Sequence, residues 1–365
     1  MIKLLVVDDS PLMRRLLSDI FTATGDFEVA VARTGAEALE KLEDVAPDVI
    51  TLDIHMPGMD GLACLDQIML QRPCPVVMVS SLTAEGADET LEAMALGAVD
   101  FIVKPRGAVS LEIDAVAPAL IEKVRAAADA RIPSTLRLRE RVRARAAAVV
   151  KTPPNRRKAT RSASVMTSSP PLSPGDGLVL VGCSTGGPPA LDILLGSLAA
   201  DFPWPIIIAQ HMPANFTGPL ARRLDRLCAL SVSEVTRTTP LVPGHVYIGR
   251  GDGDILVSRR AGVLVALAAP SSAKHYWHPS VDRLVASAMP LIATENLVGV
   301  LMTGMGADGA KAMTDLKMHG GSTIAEAEDT AVVWGMPGAL VAADGATIVA
   351  PLGRIAAELT ALVAR

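Results

Sequence analysis

From Ile2 to about Ala128, short apolar runs alternate with amphipathic stretches. The runs at 2–7, 29–32, 49–52, 76–79 and 101–103 predict five strands. Helical patterns such as 11–23 and 36–42 lie between them. Strand–helix alternation at this spacing predicts a five-stranded doubly wound α/β sheet, flavodoxin-like in order. The alternation breaks after about residue 125 and resumes near Leu178, with apolar runs at 178–181, 206–208, 264–267 and 297–301. That predicts a second doubly wound α/β unit, with a hairpin near 245–267. The expected domains are therefore 1–125 and 178–365, joined by a linker over 126–177.

Composition agrees with buried parallel sheets. Half of the residues are hydrophobic but only 3% are aromatic, so Val, Ile, Leu, Ala and Met must build the core. No apolar run approaches the roughly 18 residues of a membrane span, and no basic segment precedes the first strand. A soluble, cytoplasmic protein is expected. Cys64, Cys74, Cys183 and Cys228 form no CxxC pair, which argues against a zinc knuckle or a disulfide framework. The net charge of −5 hides an asymmetry: residues 131–175 hold eleven Lys or Arg and one acid, Glu140. Five prolines between 151 and 177 make that stretch a tether, although 135–150 could form a short basic helix.

Five polar residues stand at predicted strand ends of the first domain: Asp8 and Asp9, Asp53, Ser80, and Lys104. In a doubly wound sheet these ends meet at one carboxyl edge. Three carboxylates there need a cation to stay ionised, and Mg²⁺ suits such hard oxygen ligands. An Asp held beside a cation, a hydroxyl and a lysine is placed to accept a phosphoryl group. These residues resemble the response-regulator receiver family. The resemblance implies Mg²⁺ on Asp8, Asp9, Asp53 and the backbone carbonyl of His55, with phosphorylation at Asp53. It also implies phosphate contacts from Ser80 and Lys104, a switching aromatic at Phe101, and a cis Lys104-Pro105 peptide. Phe101 lacks a hydroxyl, so any switching by it must be steric. A side chain of His55 turned to solvent is expected.

The second domain opens with Gly182-Cys183-Ser184-Thr185-Gly186-Gly187, between an apolar run and a helix-like stretch. A serine on such a glycine-flanked turn presents its hydroxyl at the sheet's carboxyl edge, as nucleophiles do. It needs an imidazole base, and the imidazole needs a carboxylate. His211 follows the run 206–210 and Asp308 follows the run 297–302, so three strand ends bring three residues to one edge. The order Ser…His…Asp differs from the α/β-hydrolase order, which would use His319, a residue better read as a helix cap. His275 and His278 flank Tyr276-Trp277 and could line a groove. Gly304, Gly306 and Gly309, with Glu326, Glu328 and Asp329 further on, satisfy a dinucleotide fingerprint. Asp308 inside that loop would repel a pyrophosphate.

Gly182–Gly187, Gln210-His211-Met212-Pro213, His278-Pro279-Ser280-Val281-Asp282, the 303–309 loop and Trp334-Gly335-Met336-Pro337 together resemble the chemotaxis protein-glutamate methylesterase family. The resemblance covers all but the linker. It implies catalysis by Ser184, His211 and Asp308 through an acyl-enzyme, without a cofactor, and an oxyanion region at Thr185, Gly186 and Met305. The implied reaction removes methyl esters from glutamates on chemoreceptor cytoplasmic helices, with deamidation of glutamines in many members. A chemotaxis histidine kinase would supply the phosphoryl group. Cys183 stands where alanine is usual, and Gly249-Arg250-Gly251 where Ala-Pro-Gly is usual. The rival reading is a phosphorylation-controlled DNA- or protein-binding response regulator without esterase activity. No helix-turn-helix pattern follows the receiver, so nucleic acid is not the expected partner.

Overall fold

The computed structural model describes residues 1–81, 83–104, 109–131 and 177–364. The Lys104-Pro105 peptide, the basic stretch 135–150 and nearly all of the 126–177 linker lie outside the described residues. In the first domain β1 (Ile2–Val7), β2 (Phe27–Ala32), β3 (Val49–Asp53), β4 (Val76–Ser80) and β5 (Asp100–Val103) form a parallel sheet in the order β2-β1-β3-β4-β5. β3 and β4 are buried along their whole length. Covered on both faces by helices, they read as unbroken apolar runs instead of alternating ones. The helix Pro11–Ala23 starts where Ser10 caps it and Pro11 fits its first turn.

The second domain has a seven-stranded sheet, parallel throughout. Its strands are β6 (Leu178–Cys183), β7 (Ile206–Gln210), β8 (Ser231–Val235), β10 (His245–Gly249), β13 (Leu297–Leu301), β14 (Ser322–Glu326) and β15 (Ile348–Ala350). The order is β15-β14-β13-β6-β7-β10-β8, so the strand order reverses beside β6 and β13. A small antiparallel sheet of β9 (Thr239–Pro240), β11 (Gly253–Arg260) and β12 (Val263–Pro270) stands apart.

The expected hairpin needs correcting. It is formed by β11 and β12, over 253–270, while 245–249 belongs to the central sheet between β7 and β8. Val246, Tyr247 and Ile248 are buried there, which a two-stranded ribbon could not achieve.

The two domains pack together. The receiver-side helix Ala84–Leu96 lies against the helices Gly187–Gly196 and Ala214–Leu227. One buried apolar cluster includes Met94 and Phe101 of the first domain and Met212 and Phe216 of the second. The Phe101 and Phe216 ring centroids are 4.4 Å apart. Arg131, beyond the helix Val109–Ala128, pairs with Glu328 at 2.7 Å.

Candidate active site

Ser184 follows β6 and leads into the helix Gly187–Gly196, capped by Gly186. The turn needs glycine at 186: its φ is 76°, and a Cβ there would lie 2.8 Å from Val332 Cβ. His211 follows β7, and its N–H continues the ladder to the Cys183 carbonyl at 3.0 Å. Asp308 lies in the loop after β13. All three thus stand at the carboxyl edge near the reversal of strand order, where α/β sheets open a crevice.

The imidazole of His211 is held by its Nε2, 2.9 Å from Asp308 Oδ2. Its Nδ1 is buried and has no hydrogen-bond partner among the described residues. Trp277 stacks on the ring, with centroids 5.8 Å apart. Asp308 accepts three more hydrogen bonds, from Ser280 Oγ at 3.1 Å and from the backbone N–H groups of Val281 at 2.7 Å and Asp282 at 3.1 Å. Those N–H groups begin the helix Val281–Ala288, so the carboxylate sits at a helix N-terminus. Burial works to raise its pKa, but the bonds from His211, Val281 and Asp282 outweigh it and hold it below the ordinary value. The carboxylate form of Asp308 is thereby favoured, and since it only accepts, the proton it faces belongs on Nε2, which leaves Nδ1 as the acceptor.

Of the region predicted at Thr185, Gly186 and Met305, the first two directly follow Ser184 on its turn. A Cβ on Gly304, next to Met305, would lie 2.8 Å from Ser184 Cβ. The first domain reaches this turn. Thr185 Oγ1 donates to Asp100 Oδ2 at 2.5 Å, and the Gly186 N–H donates to the Val99 carbonyl at 3.2 Å. Ser184 and His211 are 9% and 8% exposed, so both side chains lie under cover.

Of the other histidines, His319 and His278 are engaged elsewhere, while His275 stays beside the triad carboxylate, a ring nitrogen lying within 4.8 Å of Asp282 and Asp308 oxygens. His319 caps its own helix, with Nδ1 2.7 Å from the Asp315 carbonyl, which removes the α/β-hydrolase order. His278 Nδ1 lies 3.0 Å from the buried Asp254, and His275 Nδ1 lies 3.2 Å from Ser280 Oγ. Glu326 of the dinucleotide fingerprint is fully buried and accepts from the Thr303 N–H at 2.8 Å, so it cannot reach a ribose.

In the first domain, carboxylate oxygens of Asp8, Asp9 and Asp53 lie within 4.8 Å of one another. Lys104 Nζ donates to Asp53 Oδ2 at 2.7 Å and stands 3.2 Å from Asp8 Oδ2. Asp8 Oδ2 is nevertheless buried without a hydrogen bond among the described residues. An all-carboxylate set with one lysine among three acids fits a hard divalent cation such as Mg²⁺. Burial, and next the charge of Asp8, push the Asp53 carboxyl up, against the pull of Lys104. Burial opposes the charge of Lys104, but Asp53 and Asp8 outweigh it and hold its pKa above the ordinary value.

Two receiver residues make their side-chain contacts away from the carboxylates. Ser80 Oγ donates toward the carbonyls of Ser81 and Gly86, both at 3.2 Å, and accepts from Thr90 Oγ1 at 2.7 Å. Phe101 is buried against Phe216, under Lys123. The His55 imidazole is exposed and lies 3.2 Å from Glu89, clear of the carboxylates. Sequence reasoning missed Asp100, Val99 and Gln210. A buried acid opening an edge strand was the available signal for Asp100.

Residues 179–359 match the family described as CheB methylesterase, and residues 4–114 match the response regulator receiver domain. Protein-glutamate methylesterase/protein-glutamine glutaminase 2 of Rhodopseudomonas palustris (strain BisB18) is 56% identical over 98% of this chain and 97% of its own length. Protein-glutamate methylesterase/protein-glutamine glutaminase 3 of Rhodospirillum rubrum is 51% identical over 100% of this chain and 97% of its own. The crystal structure of the Thermotoga maritima CheB methylesterase catalytic domain superposes with a TM-score of 0.50 at 36% identity, covering 53% of this chain and 100% of that one. The chain therefore belongs to the CheB methylesterase family and carries a response regulator receiver domain ahead of its catalytic domain.

Proposed function

We propose that Ser184, His211 and Asp308 perform the hydrolysis of a protein-glutamate methylesterase/protein-glutamine glutaminase held under receiver control. The observation that carries this reading is the His211 imidazole, tied to Asp308 through Nε2 and left with a buried, unpartnered Nδ1. Nδ1 takes the Ser184 hydroxyl proton as Oγ attacks the γ-carbonyl of a methylated glutamate. Collapse of the tetrahedral intermediate expels methoxide, which takes that proton and leaves as methanol. Water then attacks the acyl-enzyme with Nδ1 again as base, and glutamate is released. With a glutamine substrate, ammonia leaves instead. Backbone N–H groups of Thr185 and Gly186, at a helix N-terminus, and of Met305 would stabilise the oxyanion. No cofactor is required by these steps.

In the receiver, Asp8, Asp9, Asp53 and the His55 carbonyl would hold Mg²⁺, which neutralises the carboxylates when bound. A chemotaxis histidine kinase supplies the phosphoryl group to Asp53, and Lys104 stays beside it. Phosphate adds about −1.5 to −2 charges and would draw Ser80 away from Thr90 and Gly86. Before that, the Val99 carbonyl occupies the Gly186 N–H, a donor of the proposed oxyanion region. The receiver thereby covers the site it regulates. Among the described residues no helix is long and apolar enough to cross a membrane. The reading implies a cytoplasmic enzyme acting on methylated chemoreceptor cytoplasmic helices, with domain limits at 1–125, 126–177 and 178–365.

The test is methanol release from methylated receptor, with and without acetyl phosphate and Mg²⁺. Release should rise with the phosphodonor and vanish in Ser184→Ala. Turnover retained by purified, folded Ser184→Ala would overturn the reading.

A further inference from the structure

Ser184 and His211 follow neighbouring parallel strands, whose register pairs Cys183 with Gln210. Beyond that pair one ladder bond remains, from the His211 N–H to the Cys183 carbonyl at 3.0 Å, and then the backbones part. The Ser184 N–H turns to the Thr303 carbonyl at 3.0 Å, on the opposite side from β7. The Gln210 side chain spans the opening. Its Nε2 donates to the Ser184 carbonyl at 3.0 Å and to the His211 carbonyl at 3.1 Å. Its Oε1 accepts from the Cys183 thiol at 3.0 Å. Gln210 is 1% exposed, so none of these bonds is shared with bulk water.

Chemistry fixes which way the amide points. Two carbonyls accept only, so the NH₂ must face them. Cys183 is fully buried, which pushes its thiol pKa up and keeps the S–H as a donor to Oε1. Glycine at 187 leaves room for the head group: a Cβ there would lie 2.0 Å from Gln210 Oε1.

We infer that Gln210 is a positioning residue for the reaction, its single amide setting the backbone of the nucleophile against the backbone of the base. The inference rests on the Ser184–His211 reading above. Gln210 touches neither substrate nor the reacting atoms. It acts by holding Ser184 Oγ within reach of His211 Nδ1, and a displacement of about 1 Å between such groups costs roughly 10²-fold in rate. Because that distance matters to the chemical step and not to receptor binding, the loss should fall on kcat.

The experiment uses the full chain with acetyl phosphate and Mg²⁺, methylated receptor membranes, and folding checked by circular dichroism. Gln210→Met keeps the length and removes both donors. It should lower kcat about 10²-fold and leave KM within about threefold. Gln210→Glu keeps the outline but sets an oxygen against the two carbonyls. It is read in the same way and decides the question if the methionine variant does not fold. A folded variant of either kind with wild-type kcat, or with a loss confined to KM, overturns the inference. Ser184→Ala in the same assay separates the two readings. Turnover by it sinks the triad itself, whereas its silence beside wild-type Gln210 variants sinks only the positioning role.

Discussion

Asp53 and Asp308 are both buried carboxylates at the carboxyl edge of a parallel sheet, and their surroundings move them in opposite directions. Asp53 has burial and the neighbouring Asp8 against it, with Lys104 as its cation, and its pKa is pushed up. Asp308 is also buried, but it accepts from His211, Ser280 and two N–H groups of a helix start, and its pKa is held down. The fold edge alone therefore does not decide the chemistry. On the reading proposed above, a surplus of negative charge suits one edge to a cation and a phosphoryl group. Saturation with N–H and O–H donors favours the carboxylate form at the other, beside an imidazole.

Substitutions at the second edge should give the largest effects. Ser184→Ala removes the nucleophile and should lower methanol release by roughly 10⁴-fold or more, since triad members act as a unit. Asp308→Asn replaces an acceptor for four donors by a group with one acceptor oxygen and an NH₂ that would face N–H groups. A loss of roughly 10⁴-fold is expected. Wild-type turnover in Asp308→Asn would mean that His211 is oriented by something else. A chelator is the converse check. EDTA should block activation by acetyl phosphate while sparing basal methanol release, and loss of both would erase the distinction between the two edges.

The contact between the edges should give an intermediate effect. Thr185 donates to Asp100, a receiver residue also paired with Lys123 at 2.9 Å. Asp100→Ala deletes that bond but leaves the Val99–Gly186 bond and the Phe101–Phe216 contact in place. A hydrogen bond to a charged group contributes about 1.5–3 kcal/mol, and 1.4 kcal/mol is tenfold in an equilibrium. Basal esterase activity should rise by between about tenfold and about 10²-fold, with correspondingly less stimulation by phosphodonor. Unchanged basal activity, together with unchanged stimulation, would show that this bond does not hold the receiver on the site.

Much of this was legible in the chain because parallel strands buried on both faces read as unbroken apolar runs that end in polar residues. Asp8, Asp53, Ser184, His211 and Asp308 all stand where such runs stop. Other features depend on tertiary context. His245–Gly249 resembles the first arm of a hairpin, and its place between β7 and β8 depends on the distant partners Ile206–Ile208 and Ser231–Val235. β14 ends in Glu326, a residue that argues for an exposed strand until the Thr303 N–H meets it. Asp100 and Thr185 are 85 residues apart, and nothing local announces their bond. Gln210 was visible only as part of a motif, because its role depends on two backbone carbonyls.

Glu326 extends the comparison to a third buried carboxyl, and its effect should be the smallest. It stands between the other two in support: the Thr303 N–H donates to Oε2 at 2.8 Å and Thr330 Oγ1 to Oε1 at 3.2 Å. Burial dominates, with Asp329 adding to it, and the two donors only partly offset it, so the pKa is pushed up from 4.5 to about 7. The folded state then holds a proton that the unfolded chain releases above its ordinary pKa. Stability from this group is complete below about pH 4.5, declines as pH rises towards 7, and is flat above that. The interval corresponds to roughly 3 kcal/mol at most. Glu326→Gln keeps an amide that accepts from Thr303 and carries no charge to neutralise. It should match wild type in thermal stability near pH 4 and exceed it by several degrees at pH 8, measured by calorimetry. Parallel pH profiles for the two proteins would mean that Glu326 ionises at its ordinary pH in the folded state, and that two donors suffice to hold a buried carboxylate as four do for Asp308.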